Sequence, residues 1–285
     1  MYPPPTVVKF WLNLDLVKRS EYVSRKKLDG LNLVLAIAAG LVLTLPILAL
    51  FTKVPWKTMA TRLTQTNSLS AIWLSVWSSL LATFICVVLG VPLAWVLARG
   101  DRRIVNIIRP FVLAPIVLPP TVAGMSLLAL LGRNGLVGRY IYHSTGWSMP
   151  FTASAVVFTG VFVGMPFLAL VVESTFRHLP RDQEDAAEID RATPFTMFRL
   201  IALPQARNGI ATGALLAWAR VLGEFGATMM FAGSLPGLTQ TWPMQVYFET
   251  DQDMSTAYAL SAVMAIVAVA VVFALRKQLR RAFTS

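Results

Sequence analysis

Charge is scarce in this chain. Of 285 residues only 14% are Asp, Glu, Lys or Arg, against 56% hydrophobic, and the mean hydropathy is +0.63. Ordinary soluble domains do not have that balance. Cysteine is nearly absent: Cys86 stands alone, which excludes an internal disulfide framework and any C-x-x-C motif. Two histidines, His143 and His178, sit apart near the ends of apolar runs and read as interfacial residues rather than ligands. There is no H-E-x-x-H, no G-x-S-x-G and no G-x-x-x-x-G-K-[ST]. Without that last motif the chain is not expected to bind and split ATP through a phosphate loop, and a membrane-embedded enzyme finds little support.

What remains is a set of long charge-free runs, over residues 30–52, 67–98, 110–132, 140–172, 208–219 and 254–275. About 20 apolar residues cross the hydrocarbon layer. Five runs meet that length, and 208–219 does so only if it continues through Arg220 and Glu224 to about Phe231. The expectation is an all-α integral membrane protein with six transmembrane helices in one domain over 30–285. Residues 1–29, with Pro3-Pro4-Pro5 and six basic groups, read as a cytoplasmic tail. Phe10, Trp11 and Leu12 place part of that tail on the membrane surface. The first apolar run is too long for a typical signal-peptide core and no cleavage site follows it, so an uncleaved first helix is expected.

A net charge of +11 invites a nucleic-acid reading, but its distribution points elsewhere. Nineteen of the 25 Lys and Arg fall in the N-terminal tail, in 99–109, in 177–207 and in the tail from Arg276. Lys53, Lys57, Arg62, Arg133 and Arg139 occupy the alternating loops, and Arg220 lies inside a run. Excess Lys and Arg mark the cytoplasmic side, so both termini and the 177–207 loop are expected in the cytoplasm of a multi-pass cell-membrane protein, with no nucleic acid as partner. Trp56, Tyr140, Tyr142, Trp147 and Trp242 fit an interfacial aromatic belt.

Within the runs, two places are more than lipid filler. The third carries Pro110, Pro115, Pro119 and Pro120. Proline frees carbonyls that need neighbours, water or a cavity in hydrocarbon. Broken helices of that kind line transport pathways, and kinked packing helices share the composition. The second place is AWARVLGEFGAT, residues 217–228, where Arg220 and Glu224 are four apart on one helix face. Ionisable groups in a membrane cost a few kcal/mol and find partners. The two either pair simply to hold helices together, or flank a pathway in which Arg220 meets an anion. Gly223 and Gly226 beside Glu224 let the backbone bend or approach closely, with Thr228 just beyond. Pathway candidates are thus Pro119, Pro120, Arg220, Gly223, Glu224, Gly226 and Thr228. Glu224 and Glu173 are the acidic groups expected in or near the spans. Gly209, Gly213, Ala214 and Ala217 give the fifth run a small-residue face for close helix packing.

The polar stretch 177–207 has more structure than a connector requires. Leu179-Pro180 followed by Arg181-Asp182 starts one short helix, and Thr193-Pro194 supplies an N-cap and first turn for a second. On that second helix Phe195, Phe198 and Ala202 share a face, and Leu203-Pro204 is expected to stop it. Two capped helices with an apolar stripe either grip a partner or lie on lipid headgroups.

This loop resembles the signature loop of permease subunits of ATP-binding-cassette importers: EAA, three residues, G, nine residues, then I-x-L-P. Asp185-Ala186-Ala187 stand at the EAA positions, Arg191 at the glycine, and Ile201-Ala202-Leu203-Pro204 at the end, with Asp190 and Ala192 also fitting the loop. Asp for Glu is a mild departure. Arg191 for Gly puts any left-handed turn at that point in question. Residues 219–247, with LGEFGAT followed by AGSLPGLTQTWP and Val246-Tyr247, and IVLPPTVAG in the third run, resemble molybdate permeases; sulfate and tungstate permeases share much of the pattern. The likeness covers about residues 67–275.

The resemblance implies a type I importer permease. It implies two copies of this chain, two cytoplasmic ATPase subunits that carry the ATP and magnesium, and an external oxyanion-binding protein. Residues 185–192 would form the docking helix, with Phe195 and Phe198 anchoring it to the permease or the ATPase. A secondary transporter with Glu224 as proton carrier, or a structural or sensory membrane protein, are the alternatives.

Overall fold

The computed structural model of the chain describes residues 30–180, 182–189 and 191–284. The expected cytoplasmic tail 1–29 and the candidate Asp190 lie outside the described residues. Every regular element among the described residues is a helix. The first, α1 (Gly30–Thr52), is apolar throughout and keeps Pro46 inside it. It belongs to a separate compact unit from the rest, which runs from Lys53 onward.

In that second unit a short helix, α2 (Met59–Leu63), precedes the 34-residue α3 (Thr66–Arg99). Then come α4 (Arg102–Val117), α5 (Pro120–Leu131), α6 (Gly138–Thr145) and α7 (Ala153–His178). The polar stretch holds α8 (Asp182–Ile189), α9 (Pro194–Met197), a π-helical turn (Phe198–Ala202) and α10 (Leu203–Gln205). The chain closes with α11 (Arg207–Leu222), α12 (Gly226–Ala232), α13 (Trp242–Gln252) and α14 (Met254–Thr284).

The centre of this unit is the packing of α3, α7 and α11. Cys86, Val91 and Ala94 from α3 meet Leu168, Val172 and Phe176 from α7, with Ala217 from α11 and Ala202 and Ala206 from the loop. Cys86 is fully buried there, a packing residue with no access to a reaction partner. Small residues make the approach possible. A Cβ on Gly209 would collide with the Thr175 side chain, so α11 and α7 touch almost backbone to side chain there. A second cluster joins α5 and α12 to the first half of α7, through Leu127, Leu131, Ala155, Val156, Phe231 and Ala232.

Among the described residues four helices are long and apolar enough to cross a membrane, α1, α3, α7 and the first part of α14, and a fifth span results if α11 and α12 count as one. The expected third span is not a single helix. Leu118 and Pro119 are both extended, with ψ of 131° and 137°, because each precedes a proline whose ring disfavours the helical region. Pro120 then restarts the helix at a position where its missing N–H costs nothing. The 12 residues of α5 rise about 18 Å, well short of the roughly 30 Å hydrocarbon layer.

The expected fifth span also breaks, with α11 and α12 bent 64° apart. Arg220 and Glu224 are therefore not on one helix: α11 ends at Leu222, and Glu224 lies in the break. By contrast Pro92 and Pro166 sit inside α3 and α7 without ending them.

On another side of the unit, Arg62 of α2 is ion-paired with Asp253 and donates to Thr256 Oγ1 at 2.8 Å. The hydrogen bond from Thr256, helped by Arg62, holds the Asp253 carboxyl below its usual range. Trp242, expected in the aromatic belt, is instead buried. Its backbone N–H donates to Ser75 Oγ at 2.7 Å and its indole Nε1 to the Leu260 carbonyl at 3.2 Å, so both polar groups are satisfied inside the protein.

Candidate functional site

The polar stretch folds as two short helical segments, as its caps imply. Thr193 accepts the Thr196 N–H at 3.2 Å through its hydroxyl, and Pro194 occupies the first turn of α9. The Leu203-Pro204 pair does not stop the second segment. Pro204 has no N–H to close an ordinary turn, and the chain absorbs the defect by widening. Leu203 donates back to the Phe198 carbonyl, five residues earlier, and helical backbone continues to Gln205.

Asp185, Ala186 and Ala187 lie on α8, but the helix covers Asp182–Ile189 rather than the expected 185–192, because the backbone turns left-handed at Arg191. The end of α8 resolves the question raised by Arg191. Its φ is +59°, the left-handed conformation usually given to glycine, and Ala192 N–H donates to the Ala187 carbonyl at 2.9 Å. That is the geometry of a helix-terminating Schellman turn with arginine at its left-handed position. The conformation costs a non-glycine residue about 1–2 kcal/mol. Arg191→Gly is therefore expected to stabilise the turn by about 1 kcal/mol. Hydrogen exchange should report this as roughly fivefold slower exchange of the Ala192 amide; unchanged exchange would mean the strain is absent.

The two phenylalanines on the expected stripe part company. Phe198 packs against Trp95 of α3 and Phe176 of α7, with ring centroids 5.7 and 6.3 Å apart, and Trp95 meets Phe176 edge-on at 5.1 Å. Ala202 is fully buried behind it, and Leu203 packs on the same cluster. Phe195 faces outward, as do Ile189 and Leu200, while Ile201 is half-buried and Pro204 exposed. Gln205 Nε2 donates to Gln183 Oε1 at 2.8 Å, tying α10 back to α8. The loop is thus wedged into α3 and α7 through Phe198, while Ile189, Phe195 and Leu200 are exposed.

In the membrane-spanning part, both breaks meet at one place. Arg220 Nη1 lies 2.5 Å from Glu224 Oε2, and its guanidinium stands 5.9 Å from the Phe167 ring centroid. Glu224 is buried, and its Oε1 accepts the Ala227 N–H at 2.9 Å, supplying the partner that the first turn of α12 lacks. Arg220 and Glu224 line a cleft of about 110 Å³ with Pro115, Ile116, Leu118 and Pro120 of the broken third run, and with Phe167 of α7. Pro119 is exposed and caps α5. Gly226 is required by contact: a Cβ there would stand 2.7 Å from Pro120 Cβ. Gly223 is not, since its φ is −88° and a Cβ would meet only the Ala219 carbonyl at 3.7 Å.

Spacing alone does not reveal the hydroxyl-rich region beyond Glu224. Ser75, Ser78, Thr228 and Thr241 line a second, very small cavity of about 10 Å³ together with Glu224. The Thr241 hydroxyl is buried without a hydrogen-bond partner among the described residues. Gln245 Nε2 donates to Glu249 Oε1 at 2.7 Å, so Glu249 joins Glu173 and Glu224 as a buried acid. Ser68, Ser75 and Ser79 recur at helical spacing on α3, a polar face that its apolar average conceals.

Residues 88–285 match the family described as binding-protein-dependent transport system inner membrane component. The molybdenum transport system permease protein ModB of Mycobacterium tuberculosis is 41% identical over 237 residues, covering 83% of this chain and 89% of that protein. ModB of Azotobacter vinelandii is 33% identical over 210 residues, covering 73% and 93%. Among solved structures, a chain of a bacterial ABC transporter that imports the acidic polysaccharide alginate superposes with a TM-score of 0.70, covering 93% of this chain and 99% of that one. At 16% identity that likeness speaks for the fold alone.

Proposed function

The chain belongs to the binding-protein-dependent transport system inner membrane components, and from that premise we propose that it is the permease subunit of an ATP-binding-cassette importer for molybdate. The observation that carries the substrate is the identity of 41% to a molybdenum permease across 83% of the chain. It is a multi-pass membrane protein and a transporter component, with ATP and magnesium held by a separate subunit.

Two copies form the path, two ATPase subunits sit on the cytoplasmic side, and an external protein delivers the anion. The termini and the 177–207 loop face the cytoplasm. Residues of α8, with the outward-facing Ile189, Phe195 and Leu200, are the part the ATPase grips. Phe198, held between Trp95 and Phe176, passes the movement to α3 and α7. A rigid capped helix carries a displacement that a floppy loop would absorb. The cleft at Arg220 and Glu224, where two broken helices meet, is the stretch of path that opens and closes. A guanidinium there offers a tetrahedral dianion a fixed positive charge, and Glu224 holds that charge in place until the path widens.

Uptake of labelled molybdate and labelled sulfate by cells with and without this chain tests the assignment. Loss of molybdate uptake alone is expected on deletion. Loss of sulfate uptake with molybdate unaffected would reassign the substrate, and loss of neither would end the transport reading.

A further inference from the structure

Glu173 is buried in α7 at a site that the signature motif and the pathway residues leave aside. It takes two arginines at once. Arg177, one turn further on, donates its Nε to Glu173 Oε1 at 2.8 Å and its Nη2 to the Leu97 carbonyl in the last turn of α3 at 2.9 Å. Arg109 of α4 is ion-paired with the same Oε1. One carboxylate therefore joins three helices, just before the chain leaves α7 for the polar loop. Arg99 reinforces the junction, reaching the Leu179 carbonyl at 3.4 Å.

The position of α4 gives this junction its meaning. Its first half is tied to Glu173 through Arg109, and its end supplies Pro115 and Ile116 to the cleft that holds Arg220 and Glu224, with Leu118 just past its end. The Phe198 wedge fastens the loop to Trp95 and Phe176, close to the same ends of α3 and α7. We propose that the Glu173–Arg109 ion pair is the joint that makes α4, and with it the cleft, follow the movement of the cytoplasmic loop.

Glu173 and Arg109 are then positioning residues: they touch neither nucleotide nor anion, and act by linking a helix that is driven to a helix that lines the path. The Glu173 carboxylate is buried while the Arg109 guanidinium is partly exposed, so the acid needs its cationic partners and removing one of them weakens the link. The inference rests on the importer reading and deepens it.

The test uses the whole complex, with its ATPase subunits and binding protein, reconstituted in vesicles. ATP hydrolysed and molybdate transported are measured together. Arg109→Gln is the primary variant, because Glu173 keeps Arg177 as partner and the core stays intact. Assembly and ATP hydrolysis close to the parent are expected, with molybdate moved per ATP reduced by about tenfold, the equivalent of ~1.4 kcal/mol of coupling. Glu173→Gln is expected to show the same loss, and the double variant no more than either single, since all three break one joint. Transport per ATP equal to the parent in an assembled Arg109→Gln complex overturns the proposal, as do losses that multiply in the double variant. If the parent complex itself moves no molybdate with ATP, the importer reading fails first, and that outcome is read separately. Arg109→Lys, which keeps the charge, should restore most of the coupling; a loss as deep as that of Arg109→Gln would also count against the joint.

Discussion

Arg220→Ala is expected to give the most damaged protein of any single substitution in the membrane-spanning part. Glu224 is only 4% exposed and has two partners, Arg220 at 2.5 Å and the Ala227 N–H at 2.9 Å. Removing the guanidinium leaves a buried carboxylate with one amide, and breaking a buried ion pair in this way costs about 3–5 kcal/mol. That is a large share of a typical stability of roughly 5–15 kcal/mol. The variant should fall sharply in membrane abundance and unfold at lower temperature in detergent. The paired change Arg220→Met with Glu224→Gln separates charge from shape, because the amide oxygen of the new side chain still accepts the Ala227 N–H while no charge is stranded. The paired variant should recover abundance and still fail to transport. An Arg220→Ala protein as stable and abundant as the parent would show that the pair is not buried together.

The second large effect belongs to the loop. Proline at Ala187 removes an N–H in the interior of α8 and clashes with the preceding turn, at a cost of about 3 kcal/mol or more. It also disturbs the residue whose carbonyl closes the Schellman turn with Ala192. ATP-dependent uptake should fall by on the order of 100-fold, while membrane insertion is unaffected because α8 lies in the polar stretch, outside the apolar runs. Asp182→Pro is the control: at the first position of the helix a proline is tolerated, and uptake should stay near the parent level. Equal loss in both variants would mean that the loop tolerates no change of any kind, and would remove the claim that helix stiffness matters.

Patterns local in sequence translated directly into structure. The caps at Thr193 and Pro194, the start at Asp182, and the break before Pro120 all follow from backbone chemistry within a few residues. The left-handed turn at Arg191 was legible only as a question, because the residue there argues against the conformation the motif demands. Nonlocal facts stayed hidden. Pro204 reads as a stop, and only the widened turn beneath it, anchored by buried Ala202 and wedged Phe198, carries the helix onward. Trp242 reads as interfacial, yet the partners that draw it inside, Ser75 and Leu260, lie far away in sequence. Nothing in the spacing of Arg109 and Glu173, or of Pro120 and Gly226, shows that they meet. Composition reports which runs prefer lipid, and packing between runs decides which of them stay whole.

The most direct measurement is molybdate accumulation in proteoliposomes holding this chain with its partner ATPase, with binding protein supplied on the extracytoplasmic face. Accumulation that requires ATP, is unaffected when ion gradients are collapsed, and disappears without the ATPase subunit is the predicted result. Accumulation by the chain alone, following a proton or sodium gradient with no ATPase present, would contradict the account and make Glu224 an ion carrier instead.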